Sequence, residues 1–220
     1  MSQPVKRQYD SSRRQAQARQ TRREILRAAY DLFVEQGYAR TTIADIARAA
    51  GVSAETIYAT FKNKASVLAR VWDVTIGGDD EEIVFHERPE IQAIRAEPDL
   101  AKRFMMHARM STAAARRMAP FTLAVRAAAG AEPSAAEMLA EMGRQRYVGM
   151  GVMAREAAAT GQLAVSEQEC RDIVWAMTDG MLWHQFVVER GWTDEQYADW
   201  LGRIWVATLV KPRRARRRAE

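Results

Sequence analysis

The chain has 220 residues, of which 48% are hydrophobic and 28% are charged. This composition is typical of a globular protein and excludes a disordered or fibrous chain. No apolar run approaches the length of a membrane-spanning helix, and the N-terminus lacks the apolar core of a signal peptide, so we expect a soluble cytoplasmic protein. The single cysteine, Cys170, has no intramolecular partner and is expected to be a partly buried, inert thiol.

The formal net charge of +5 is unevenly distributed along the chain. Residues 1–72 carry a net charge of +7 and residues 211–220 a net charge of +5, so the residues between them carry −7. A basic excess confined to one end and a tail indicates that nucleic acid binds at that end. The acidic body argues against a protein that coats DNA with its whole surface.

The first 19 residues are polar and rich in Arg and Gln, without apolar periodicity. They are predicted to be a flexible basic arm. Such an arm is either a solvated tail without a role, or a segment whose Arg13, Arg14 and Arg19 reach phosphates or a neighbouring minor groove. An amphipathic helix begins at about Thr21 and is expected to pack across the elements that follow.

The next stretch, Thr42–Lys64, has the spacing of two short amphipathic helices joined by a tight turn. Thr42 and Asp45 form a capping-box pattern at the start of the first helix. Gly51 supplies a left-handed residue that ends this helix, and Ser53 is the predicted N-cap of the second. The pattern fits an ordinary helical hairpin, and it also fits a helix-turn-helix whose second helix enters the major groove of DNA.

The second helix has outward side chains that suit recognition of DNA. They are small or carry hydroxyl groups, so the helix can lie close to base edges, and two lysines follow it to contact phosphates. We expect Glu55 to serve the helix dipole rather than to accept a hydrogen bond from cytosine. The predicted DNA-contact residues are Thr42, Ser53, Ala54, Glu55, Thr56, Tyr58, Thr60, Lys62 and Lys64.

Residues 21–72 resemble the DNA-binding domain of the TetR/AcrR family of bacterial transcriptional regulators. The matching residues are Phe33, Gly37-Tyr38, Thr41-Thr42, Ile46-Ala47, Gly51-Val52-Ser53, Thr56-Ile57-Tyr58, Phe61-Lys62-Asn63-Lys64 and Val67-Leu68. Ala59 and Thr60 depart from the family, which often has a second aromatic residue and a histidine there. The resemblance implies an all-α protein, with an N-terminal three-helix helix-turn-helix domain and a larger C-terminal helical domain for ligand binding and dimerisation.

Domain boundaries follow from composition. A fourth helix is predicted from about Lys64 to Ile76, and a run of Gly, Asp and Glu at 77–82 marks the end of the first domain. Helical patterns then continue, one of them with Ser134 and Glu137 as its expected capping box. The predicted domains are a flexible basic arm (1–19), the DNA-binding domain (20–76, motif about 42–62), a helical effector-binding and dimerisation domain (83–210) and a basic tail (211–220).

Two surfaces are predicted in the second domain. Flexible methionines among aromatic rings suit either a core or an adaptable pocket for a small apolar effector. The predicted pocket residues are Phe104, Met105, His107, Met118, Phe121, Met142, Tyr147, Met150 and Trp175.

The last two helices carry more aromatic surface than one helical pair needs, which favours a twofold homodimer unless the rings pack inside the protomer. The predicted interface residues are Trp183, Phe186, Tyr197, Trp200, Ile204 and Trp205.

Signals for catalysis, cofactors and metals are weak. Residues 149–154 fit a dinucleotide-binding pattern but follow no strand, so close helix packing explains them better. The histidines lack metal-ligand spacing, and the acids at 79–82 lack the spacing of a calcium loop, so we predict no metal, no cofactor and no enzyme.

We therefore predict a DNA-binding transcriptional regulator, a ligand-responsive homodimeric repressor of a near-palindromic operator. The alternative is a helical small-molecule-binding protein or enzyme with a non-functional helix-turn-helix.

Overall fold

A computed structural model describes residues 6–77 and 89–212, with side chains described at 13–75 and 89–212. The N-terminal helices are α1 (Lys6–Glu35), α2 (Ile43–Ala50), α3 (Ala54–Phe61) and α4 (Lys64–Gly77). They are followed by α5 (Pro89–Ala96), α6 (Leu100–Ala128), α7 (Pro133–Ala159), α8 (Glu167–Ala176), α9 (Met181–Trp183), a π-helical segment (His184–Glu189) and α10 (Asp194–Leu209). Across these ranges β pairing is confined to one bridge, between Leu163 and Val210, and the predicted all-α fold class is confirmed. Every helix in the described residues is too short or too polar to cross a lipid bilayer.

The chain divides into two compact units. The first unit comprises Met1–Thr75 together with Leu123–Leu139, and the second comprises Ile76–Thr122 together with Ala140–Glu220. The division near residue 76 lies where the sequence predicts the first domain to end. The addition of Leu123–Leu139 was not predicted, because hydrophobic periodicity reveals a buried face but not the partner that buries it.

Buried apolar side chains line one face of each N-terminal helix. Ile25 and Phe33 of α1 are inaccessible to solvent, as are Ile46 of α2, Ile57 of α3 and Val67 of α4. These positions recur at the three- and four-residue spacing that places them on one face of each helix. α2 and α3 are therefore fixed on one side and exposed on the other.

The N-terminal residues differ from the sequence-based expectation. Residues 6–19 continue α1 in helical conformation rather than forming an irregular arm, while residues 1–5 lie outside the described part of the chain. The side chains from Arg13 to Gln20 are all exposed. Arg, Gln, Ala and Lys have favourable helix propensities, so this segment can be helical without the apolar stripe on which the sequence prediction relied.

In the second unit, the stretch from Ser166 to Gly191 is not one continuous helix. α8 ends at Ala176, and the chain re-enters helical structure only after Gly180, which has a φ of +86°. Side-chain caps stand at the helix starts on both sides of this region. Ser166 Oγ accepts the Glu169 amide, and Thr193 forms a capping box with Gln196 at the start of α10.

Candidate nucleic-acid interface

Local hydrogen bonds define the start of α2. The Asp45 amide donates to Thr42 Oγ1 at 3.1 Å, and the Thr42 amide donates to Asp45 Oδ2 at 3.1 Å, which completes the predicted capping box. Hydrogen bonds from the Thr42 side chain and then from its backbone lower the pKa of Asp45. The carboxylate is thus held ionised at the positive end of α2, where it stabilises the helix.

The turn between α2 and α3 has the geometry that the sequence predicts. Gly51 has a φ of +66°, in the left-handed region that favours glycine, and the Val52 amide donates to Ala47 O at 3.0 Å. Ser53 Oγ then accepts the Thr56 amide at 3.2 Å and caps α3. This short connection gives α2 and α3 the helix-turn-helix arrangement.

The two sides of α3 differ sharply in exposure. Ile57 is fully buried and Phe61 nearly so, and the guanidinium of Arg22 lies 5.8 Å from the centroid of the Phe61 ring. On the opposite side, Tyr58 is 52% exposed and Ala59 is also exposed. α3 thus presents a small methyl group and a phenol to solvent from a helix whose inner face is anchored.

The predicted DNA-contact residues lie together on α3, on its two flanks and at the N-cap of α2. Several of their polar groups also have partners inside the protein: Thr42 and Ser53 serve as caps, and Thr60 Oγ1 donates to Thr56 O at 2.8 Å. A hydrogen bond from its own backbone amide, and then one from Ser53, lower the pKa of Glu55. Glu55 therefore stabilises the start of α3, the role that the sequence favours for it.

The chain turns abruptly after α3. Lys62 has a φ of +66° and a ψ of −46°, and the Asn63 amide donates to Phe61 O at 2.8 Å, which closes a three-residue γ-turn. Asn63 Oδ1 accepts the Ser66 amide at 2.8 Å and so caps α4. A lysine with positive φ is strained, and the strain lies beside the exposed end of α3.

Lys64 occupies a different environment from the one expected of a simple phosphate contact. It is partly buried; its Nζ donates to Tyr38 O at 3.0 Å and lies 4.2 Å from the centroid of the Tyr38 ring. The sequence pattern does not reveal this role of Tyr38, nor the role of Thr41, which is buried and donates through Oγ1 to Gly37 O at 2.9 Å. The Gly37-Tyr38 and Thr41 matches could have drawn attention to both residues.

Several of the predicted effector-pocket residues belong to the buried core or to ring pairs of the second unit. Phe104, Phe121 and Met142 are buried core residues, and Phe104 packs edge-on against Trp205 with centroids 6.1 Å apart. Tyr147 and Trp175 instead form an edge-to-face pair. The sequence cannot separate pocket from core here, because both are lined by aromatic and thioether side chains.

Two of the cavities in the described part of the second unit lie between α6 and α10. One of about 420 Å³ is lined by Met105, the one predicted pocket residue it shares, with Trp192, Gln196, Asp199 and Arg203. Another, of about 520 Å³, is lined by Arg109, Thr112, Ala113, Arg116, Arg117, Asp194, Glu195 and Ala198. Their charged linings differ from the apolar pocket that the sequence suggests.

Three predicted interface residues are buried within the protomer, which corrects their assignment to an exposed face. Trp205 is fully buried, Tyr197 is nearly so, and Trp183 donates from its indole N–H to Asp194 Oδ1 at 2.7 Å. Phe186, Trp200 and Ile204 remain partly exposed. The rings of Phe186, Trp192 and Trp200 form an aromatic cluster. The centroid of the Phe186 ring lies 4.6 Å from that of Trp192 and 4.7 Å from that of Trp200.

Comparison with known proteins identifies the first unit. Residues 25–71 match the family model described as "Bacterial regulatory proteins, tetR family". The HTH-type transcriptional regulator TtgR of Pseudomonas putida is 44% identical over 61 residues, which are 28% of this chain and 29% of TtgR. Residues 25–71 thus form a domain of the TetR type. The family recognised from the sequence is thus confirmed on the residues that form α2 and α3.

Solved structures extend the likeness in fold beyond residues 25–71. NalD of Pseudomonas aeruginosa, described as the secondary repressor of the MexAB-OprM multidrug efflux pump, is 18% identical with a TM-score of 0.65, over 89% of this chain and 98% of NalD. A transcriptional regulator from Saccharomonospora viridis, crystallised with choline, is 18% identical with a TM-score of 0.64, over 88% and 99% of the two chains. At this identity the likeness shows the fold alone, and TtgR is matched over less than a third of its length.

Proposed function

We propose that this protein is a ligand-responsive transcriptional repressor that binds a near-palindromic operator as a homodimer in the cytoplasm. The observation that carries the proposal is the exposed face of α3. Tyr58 and Ala59 project from it, while Ile57 and Phe61 anchor the opposite side in the core. An α-helix fits the major groove of B-DNA, and small side chains let it approach the base edges closely.

The charge of the first unit supports this assignment. Arg13, Arg14 and Arg19 are exposed on α1, in the region that carries a net charge of +7. Exposed arginines attract the DNA backbone and release its counterions, which strengthens binding to any sequence. Base contacts from α3 would then select the operator from the rest of the genome.

Repression and ligand response are inferred from similar proteins and from the cavities of the second unit. The description of NalD names it a repressor, and the Saccharomonospora viridis regulator was crystallised with choline. The α6–α10 cavities have the volume of small-molecule sites. We propose that an effector prefers a conformation whose recognition helices are wrongly spaced for the operator, with α4 carrying the change from one unit to the other.

The homodimer is proposed from the aromatic cluster of Phe186, Trp192 and Trp200 together with Ile204. These side chains are only partly buried in the protomer. A second copy packed against them would remove this apolar surface from water. Twofold symmetry would place the two recognition helices about 34 Å apart, one turn of DNA, and so requires a near-palindromic operator.

A gel-shift assay with the DNA that flanks the coding region tests the proposal. We expect specific retardation of an imperfect palindrome and a roughly fivefold loss of affinity in Tyr58→Phe, because one hydrogen bond is worth about 1 kcal/mol. Tyr147→Phe, in the second unit, is the control and should bind as tightly as the wild type. Binding that is sensitive to salt but blind to sequence would instead favour the small-molecule-binding protein or enzyme with a non-functional helix-turn-helix.

A further inference from the structure

Tyr38 connects three helices of the first unit. Its ring packs edge-on against Phe33 of α1 with centroids 5.2 Å apart. Its carbonyl accepts the hydrogen bond from Lys64 at the start of α4, and its phenolic oxygen lies 2.8 Å from Ser134 Oγ in the first turn of α7. Because Tyr38 is only 1% exposed, its position is set by these contacts rather than by solvent.

The Ser134 hydroxyl serves this contact and not the predicted helix cap. α7 begins at Pro133, so Ser134 lies inside the helix, past the N-cap position that the pairing with Glu137 suggests. Burial raises the pKa of the Tyr38 phenol, the Ser134 hydrogen bond opposes that rise, and Glu132 adds to it. The phenol is therefore protonated at neutral pH, and a buried phenol needs a hydrogen-bond partner.

Lys64 is held in place by Tyr38. The ammonium has three N–H donors; the Tyr38 carbonyl takes one, and the face of the ring stabilises the charge. Lysine has a flexible stem that loses rotamer entropy when it is fixed. A lysine that is already ordered in the free protein loses less entropy when it binds a phosphate.

We propose that Ser134 is a positioning residue for DNA binding: by fixing Tyr38, it holds the Lys64 ammonium where a remaining N–H donor reaches a backbone phosphate. The inference rests on the proposed function. Lys64 follows α3 by only a γ-turn at Lys62, so it lies beside the recognition helix. Ser134 lies far outside residues 25–71, the part of the chain that matches the family model, and acts on Lys64 through a contact that only the fold creates.

The salt dependence of DNA binding tests this role. The probe is a fluorescent duplex taken from the DNA that flanks the coding region, titrated at several salt concentrations. Log affinity falls as log salt rises, and Lys64→Ala should make this slope less steep by about 1, the value for one lost phosphate contact. Ser134→Ala should lower the same slope by a fraction of that amount. In the Lys64→Ala background it should change the slope no further, because the two residues act as one unit.

Matched variants separate positioning from stability. Ser134→Thr retains the hydroxyl and should keep the wild-type slope, and Tyr38→Phe should behave as Ser134→Ala does. Ser166→Ala removes the N-cap of α8 in the second unit and should lower Tm by a few degrees with the slope unchanged.

Three outcomes would overturn the inference. In the first, Ser134→Ala lowers Tm but leaves the slope intact. In the second, the effects of Ser134→Ala and Lys64→Ala add in the double variant. In the third, Lys64→Ala itself leaves the slope unchanged. None of these outcomes bears on sequence-specific binding by the wild-type protein. If the wild type showed no sequence-specific binding, that result would count against the proposed function. Since phosphate contacts do not depend on sequence, the slopes remain measurable in that case too.

Discussion

His107 on α6 is a titratable side chain in a buried position, 8% exposed. Burial lowers its pKa to about 4, and the positive charges of Arg103 and Arg95 act in the same direction. The Arg103 guanidinium is itself held by the carbonyl oxygens of Arg95 and Glu97. His107 is therefore neutral in the native protein at physiological pH, and its environment resists protonation.

This environment predicts a loss of stability in mild acid. The unfolded chain binds the proton of His107 below about pH 6.5, but the folded chain binds it only below about pH 4, so the free energy of unfolding falls as pH drops between these values. Between pH 7 and pH 5 the expected loss is about 2 kcal/mol. Urea denaturation of wild type and His107→Gln measures it: the variant should lose less stability over this interval, and parallel curves would contradict the assignment.

Cys170 on α8 should be unreactive in the folded protein. It is fully buried, and burial together with the charge of Glu167 raises its pKa to about 11. Since the thiolate is the reactive form, a disulfide reagent at pH 8 should label the native protein far more slowly than a free thiol. The same reagent in concentrated urea should label one thiol per chain. Labelling of the native protein at the rate of the unfolded protein would show that Cys170 is accessible.

At the scale of the helix, the break between α8 and α9 depends on Gly180. Gly180 has a φ of +86°, and a Cβ placed there would lie 3.0 Å from the Cβ of Ala119 on α6. Both the backbone conformation and the close approach of α6 therefore require glycine. The positive φ is a property of this segment alone, whereas the close approach depends on α6, which is distant in sequence.

Two alanine variants separate these requirements. Gly191 has a φ of +73°, and a Cβ added there would have no neighbouring atom within 4 Å, so Gly191→Ala should cost only the backbone strain, about 1–2 kcal/mol. Gly180→Ala adds the contact with Ala119 and should cost more. Thermal unfolding of both variants measures the difference. Equal losses of stability in the two variants would mean that the contact between Ala119 of α6 and residue 180 adds no free-energy cost.

At the scale of the whole molecule, the proposed homodimer depends on the partly exposed aromatic cluster of the second unit. Trp200→Glu places a charge in the apolar contact and should convert the dimer into protomers at micromolar concentration, which sedimentation velocity measures directly. Val148→Glu is the matched control, because Val148 is exposed on α7 and lies outside the cluster. A wild-type protein that sediments as a protomer at these concentrations would exclude this interface.

The amino-acid sequence was sufficient to predict the helix-turn-helix, its caps and the family that residues 25–71 resemble. The interactions that define these features join residues three or four positions apart, as in the pairs Thr42–Asp45 and Ser53–Thr56, so they can be recognised without knowledge of the fold. It also determined the all-α class, because helical periodicity repeats along each segment.

Which helix faces meet could be learned from the folded chain alone. Tyr38 and Ser134 are 96 positions apart, and no local pattern indicates that they share a hydrogen bond. The same reason explains Trp183 and Trp205, whose aromatic character predicted an interface but whose neighbours in the fold bury them inside the protomer. Hydrophobic pattern specifies that a side chain leaves water, whereas the identity of its partner depends on long-range packing.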